Sequence, residues 1–122
     1  MSRDMFNDPR SHEADDLALE AELLGRRGEH VGARELYRRA AALEEALARE
    51  TPVSSPRQRG VLAISAVSLW GAAGALERAI SLADEFLTDH ALPASERTSL
   101  AKLAEELRTR AAQEHTHASG PS

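Results

Sequence analysis

Two stretches of this chain repeat one another without a gap. Gly74-Ala-Leu-Glu-Arg-Ala79-Ile-Ser-Leu-Ala83-Asp-Glu-Phe86-Leu87 lies on Gly28-Glu-His-Val-Gly-Ala33-Arg-Glu-Leu-Tyr37-Arg-Arg-Ala40-Ala41. Each begins with a glycine, has a small residue five positions on, and carries small or apolar residues four and seven beyond that. A glycine between two helical stretches can take the left-handed conformation that ends the first and turns the chain back into the second. Self-similarity at a fixed spacing is the mark of stacked supersecondary units. The chain is therefore constrained to a pile of helix hairpins.

The flanking residues agree. Leu17, Ala21 and Leu24 recur at helical spacing before Gly28, and Ala33, Leu36, Tyr37, Ala40, Leu43 and Leu47 do so after it. Ser11 is a candidate N-cap for the first helix, with Glu13, Asp15 and Asp16 placed to complement the helix dipole. Helix two must stop before Pro52, and 51–56 has loop chemistry. Ser55, Pro56 and Gln58 then read as cap, first helical residue and capping-box partner of a third helix over 56–71, apolar on nearly all sides and so expected to be enclosed by neighbours. Helix four places Leu76, Ala79, Ile80, Ala83 and Leu87 on one face, with Leu82 and Phe86 beside it, and Pro93 closes the unit. A fifth helix over 95–113 is apolar along one face only, at Leu100, Leu103, Ala104, Leu107 and Ala111, as a terminal cap would be. The expected class is all-α: about five antiparallel helices, two hairpins and a C-terminal capping helix. Residues 1–10 are expected to be a flexible N-terminus, 11–114 a single domain and 115–122 a disordered tail.

This pattern resembles the tetratricopeptide (TPR) family, whose second helix carries a small residue, an aromatic four later and a small residue three after that. Ala33, Tyr37 and Ala40 take those places. Leu17, Ala21 and Leu24 in the first unit, and Ala63, Val67 and Trp70 in the second, fall where the family has its large, small and aromatic packing residues. The turn glycines are 46 residues apart, against about 34 in the family, and the longer second helix and the 51–56 loop account for the difference. The resemblance implies a concave groove lined by the first helix of each unit. It places Asp15, Ala18, Glu22, Arg26, Val61, Ile64, Ser68, Thr98, Lys102 and Glu105 along it, with Val61, Ile64 and Ser68 as the floor. Ala18 and Glu22 stand where a clamp for a C-terminal carboxylate would need Lys and Asn. The implied partner is another protein, offering a peptide or helix segment with apolar and some basic residues.

Several function classes are disfavoured by composition and spacing. The net charge of −5 and the interleaving of Arg34, Arg38 and Arg39 with Glu35, Glu44 and Glu45 speak against nucleic acid. The uncharged run over 60–76 is shorter than a membrane span and diluted by Ser65, Ser68, Gly71 and Gly74, so no membrane association is expected. Lack of cysteine removes thiolate chemistry, and the polar N-terminal decapeptide is unlike a secretory signal, which points to a cytoplasmic address. Ser99 and Lys102 have the spacing of a nucleophile pair but none of its companions. Glu114 and His117 form a single Glu-x-x-His where a dinuclear site needs two, and His115 beside them completes no ligand set. Gly71 to Gly74 has no following Lys, Ser or Thr to make a phosphate loop. Asp15-Asp16, Glu44-Glu45 and Glu105-Glu106 are adjacent pairs that diverge by about 100° on a helix and read as solvated faces. Trp70 reads as core. No catalytic residue, metal or cofactor is expected. With fourteen Arg to one Lys and abundant Ala, the composition matches that of high-GC bacterial genomes. The reading is a non-catalytic adaptor or regulatory subunit, with a self-associating structural domain as the alternative.

Overall fold

A computed structural model of the chain describes residues 8–118, the last three through their backbone only. Five helices follow one another: α1 (Pro9–Arg26), α2 (His30–Glu50), α3 (Pro56–Ala72), α4 (Leu76–Leu87) and α5 (Ala94–Ala118). No strand occurs among the described residues. The fold is all-α.

Both turn glycines adopt φ of 80°. The hydrogen bonds around them are the same at both turns. Gly28 N–H donates to Gly25 O and Glu29 N–H to Leu24 O, as Gly74 N–H donates to Gly71 O and Ala75 N–H to Trp70 O. A side chain at either glycine would force a Cβ into a conformation that L residues avoid. The repeat in the sequence is thus a repeat of one turn geometry, and it makes α1–α2 and α3–α4 two hairpins of the same kind.

Cap chemistry departs from expectation at two starts. Asp8, not Ser11, caps α1: its side chain accepts from Arg10 N–H at 2.9 Å, and Pro9 occupies the first helical turn. The Asp-Pro pair starts the helix one turn early, leaving Ser11 buried inside it. Residues 8–10 therefore belong to the folded unit, whereas 1–7 lie outside the described residues. Ser55 does precede α3, but its side chain makes no cap bond, and Gln58 Nε2 is buried without a partner. The capping box does not form. At the other end α5 runs on to Ala118, past the expected boundary at 114, and 119–122 lie outside the described residues.

The helices form two layers. In one, α2 and α4 lie side by side, tied by Arg49 to Glu85 and by Arg78 to Glu45. In the other, α3 and α5 touch through Gly60 against Glu96, and Gly71 against Leu107, while Leu69 of α3 packs on the first hairpin's cluster of Ala14, Leu17 and Ala40. The main core joins Leu47 and Ala48 of α2 to Leu62, Ala66 and Val67 of α3, Leu82 and Phe86 of α4, and Leu100, Ala104 and Leu107 of α5. Within the first hairpin the contact is made by Ala14, Ala21, Ala33 and Ala40, small residues that let the two helices come close. On α4 the buried face is Leu76, Ala79, Leu82, Ala83 and Phe86, so Ile80 and Leu87 border the core and Phe86 sits inside it. That is a rotation from the expected stripe. Most of α4 is apolar, and the pattern alone does not locate the centre of its face; contact with both α3 and α5 does.

Candidate functional site

The first helices of the units share an open side. On α3, Gly60 and Gly71 turn toward α5, and Leu69 toward α1, leaving Val61 (40 % exposed) and Ser68 on the surface between them and Ile64 half-buried on the core. On α1, Asp15, Glu22 and Arg26 are exposed and Ala18 is half-buried along one flank. Glu22 is paired with Arg26 at 2.6 Å. The seven residues expected along a groove on α1 and α3 are thus exposed or half-buried, and of them Glu22 and Arg26 line a cleft that reaches Ala72 of α3.

The three on α5 do not all join them. This helix turns Glu96 and Leu107 toward α3, and Arg97 and Arg108 toward α4, where Arg97 donates to Leu87 O at 2.7 Å and Arg108 pairs with Asp84. At about 100° per residue, the flank adjoining the open side of α3 carries Ser99, Leu103 and Glu106. Thr98 and Glu105 turn to the outer face, and Lys102 borders the open side. All three are exposed.

The floor between α1 and α3 comes from α2. Ala33, Tyr37, Ala40, Glu44 and Ala48 form one row along α2 at helical spacing, and four of the five are buried, Tyr37 being half-buried. Tyr37 and Ala33 open into a cleft of about 420 Å³ bounded by Ala21, Glu22, Gly25 and Arg26 of α1, His30 and Arg34 of α2, and Ala72 of α3. Its rim carries more basic than acidic side chains. Two turns along the same row stands Glu44, 4 % exposed, and Asp15 is the charge acting on it. The seam is therefore polarised, basic at the C-terminal end of α1 and acidic toward its N-terminal half.

Glu44 and Glu45, expected on a solvated face, are both buried. They project to different neighbours and their chemistry is opposite. Glu45 accepts from Trp70 Nε1 at 2.9 Å, Arg78 Nη2 at 2.6 Å and Arg49 Nε at 3.1 Å. Burial pushes its carboxyl up, but these hydrogen bonds outweigh burial and hold it below the ordinary range. Arg78 also lies over the Trp70 ring at 5.4 Å. Trp70 is accordingly half-buried, and acts as part of a clasp joining α2, α3 and α4 rather than as plain core. Glu45→Gln should lower the free energy of unfolding by about 1–2 kcal/mol at pH 7, measured by urea denaturation, because the amide cannot serve three donors.

Glu44 has no such partners. No hydrogen bond or ion pair reaches it among the described residues. Burial first, then Asp15, raises its carboxyl to about 7. The charges of α3 do not help: Arg57 lies 3.8 Å from Glu96, and Arg59 is paired with Asp89 and stacked on Phe86.

Other chemical motifs stay dispersed. Ser99 and Lys102 are exposed on α5, Gly71 to Gly74 forms the end of α3 and its turn, and Glu114 and His115 are exposed, the side chain of His117 lying outside the described residues. Among the described residues no group of three His, Asp or Glu is placed to hold a metal, and no helix is long and apolar enough to cross a membrane. Comparison with family models, with curated proteins and with solved structures finds no match to this chain.

Proposed function

We propose that this chain is a TPR-like adaptor that binds a segment of another protein along the seam between α1 and α3. The observation that carries this reading is the seam itself. Two like hairpins bring the C-terminal ends of α1 and α3 to one cleft, where Glu22 and Arg26 of α1 and Ala72 of α3 surround Tyr37 of α2, and Asp15, Val61 and Ser68 of the same two helices are exposed. Helices that pack on neighbours on one side and present such a channel on the other suit an extended or helical segment with apolar and basic residues. A cytoplasmic, bacterial adaptor with no catalytic role accords with the acidic, cysteine-free composition.

The test is a pull-down from the native host with the wild type and with an Ile64→Arg, Glu22→Arg double variant whose helicity is first checked by circular dichroism. The wild type is expected to retain a partner that the variant loses. Identical partner lists from two folded proteins would remove the seam from consideration.

A second reading, self-association, rests on the outer surface of the first hairpin. The exposed apolar side chains are chiefly on the first hairpin, where Leu19 and Leu23 lie one turn apart on α1 and Val31 stands at the start of α2. A molecular mass by light scattering that rises with concentration and is returned to that of the monomer by Leu19→Glu would favour this reading.

A further inference from the structure

The seam presents one end that is chemically incomplete. Glu44 is the fourth of the five residues in the buried row of α2, beside Leu43, which packs on the cluster shared with α1, and Leu47 and Ala48, which belong to the main core. Its carboxyl oxygens have no partner, yet among the described residues the only fully enclosed polar side-chain atom without one is Gln58 Nε2. The small remaining exposure of Glu44 therefore includes its carboxyl oxygens, and Asp15 of α1 is near enough for its charge to act on them. A buried carboxylate with no donor is costly and is ordinarily found only where something completes it. The neighbouring Glu45 shows what completion looks like in this same helix: two guanidinium groups and an indole N–H.

We propose that Asp15 and Glu44 together form a pocket for an arginine side chain of the bound segment. The inference rests on the groove reading and adds the chemistry of one position in the ligand. A guanidinium is planar and forked, can donate to two carboxylates at once, and is more weakly hydrated than an ammonium, so it loses less on entering a site walled by Leu43, Leu47 and Ala48. Its stem lies along apolar surface while its head reaches the acids. At the opposite end of the seam the cleft is lined by Arg26 and Arg34, which disfavour a second cation. The segment is thereby given a direction, its arginine toward the N-terminal half of α1 and any acidic residue toward the C-terminal end.

The raised proton affinity of Glu44 supplies the readout. A cation that binds the ionised form must lower the titration midpoint of that carboxyl, and by linkage must bind more tightly as pH rises through it. The experiment uses the full chain, labelled with carbon-13 at glutamate side chains and nitrogen-15 in the backbone. It is titrated by NMR with acetyl-Leu-Ala-Arg-Ala-Leu-amide and with the same peptide bearing citrulline, the neutral isostere of arginine. The arginine peptide is expected to bind about tenfold more tightly and to lower the Glu44 midpoint by about one pH unit. Both effects should disappear in Glu44→Gln and weaken in Asp15→Asn. Equal affinities for the two peptides, or a Glu44 midpoint that does not move at saturation, would overturn the pocket while leaving the groove intact if α1 and α3 amides still respond. A lack of any response up to roughly 5 mM peptide, weaker than a millimolar site would give, would also overturn the pocket. The groove is judged separately by the pull-down with Ile64→Arg, Glu22→Arg.

Discussion

Replacing Glu44 by Gln should stabilise the protein at pH 8 by about 2 kcal/mol and destabilise it by about 1 kcal/mol at pH 4. The carboxyl titrates at about 7 in the folded chain against an ordinary value of 4.5. Folding therefore raises its proton affinity, so the proton favours the folded state. Below pH 4.5 both states are protonated and the side chain carries no ionisation penalty. As pH rises from 4.5 to 7 the unfolded chain gives up the proton and the folded chain keeps it, and stability falls steadily. Above 7 the folded state is ionised too and the loss is complete, about 3 kcal/mol at 1.36 kcal/mol per unit. Glutamine removes the ionisation but still buries an amide without a partner, which returns part of the gain. Glu45 acts in the opposite sense in the wild type: its carboxyl is held low, so its contribution is present above its unfolded value and fades as pH falls. Subtracting the wild-type curve from that of the variant cancels this term. Urea midpoints at half-unit steps from pH 4 to pH 8 would check the result; a difference that is flat across that window would refute the assignment.

That Glu44 is buried at all could not be read from the sequence, and the reason is specific. Glu44-Glu45 is an acidic pair in a helix rich in Arg, the composition of a solvated face, and the apolar stripe of α2 runs through Ala33, Leu36, Tyr37, Ala40, Leu43 and Leu47 without either acid. In the fold α2 packs on α1 and α3 and is tied to α4 through Arg78, so its buried arc is wide enough to include both acids. The signal that could have revealed this is that Glu44 continues the row of Ala33, Tyr37 and Ala40 at helical spacing. The hairpins, by contrast, were legible. Turn glycines act through local sterics, and Gly28 and Gly74 end their helices in the same way whatever packs on them. The exposed flanks of α1 and α3 were indicated only through the family resemblance, since exposed residues cover about half the circumference of α1 and α3 is apolar nearly all round. Those of α5 were not legible: its polar residues cover most of its circumference, and only its contacts with α3 and α4 decide that Ser99 and Glu106, rather than Thr98 and Glu105, adjoin the open side.

Those contacts rest on two glycines inside α3, and the two should respond differently to substitution. A Cβ at Gly60 would meet Glu96 Cβ at 2.9 Å and Leu92 Cδ1 at 2.9 Å. The first of these is fixed to the backbone of α5, so relief requires the first turn of that helix to move away from α3. A Cβ at Gly71 would meet Leu107 Cδ2 at 2.8 Å, the end of a side chain that can rotate. Gly→Ala in a helix interior gains up to about 1 kcal/mol from lower backbone entropy in the unfolded chain. At Gly71 this gain offsets the rearrangement of Leu107, and Ala should be close to neutral. At Gly60 it does not, and Ala should destabilise by about 1 kcal/mol net. Gly60→Val adds branched methyls to the same clash and should cost about 3 kcal/mol. Because Gly60 faces α5 and nothing of α1, the loss should be local. Hydrogen exchange is expected to quicken through the N-terminal half of α5, where Glu96 and Leu100 sit, while the amides of α1 and of the first half of α2 keep their wild-type protection relative to global stability. Equal destabilisation by Ala at Gly60 and Gly71 would mean that α5 yields as a whole and that the close approach at Gly60 does not set its position. The predicted asymmetry would instead show that this contact fixes the rotation of α5, and with it which residues of that helix border the seam.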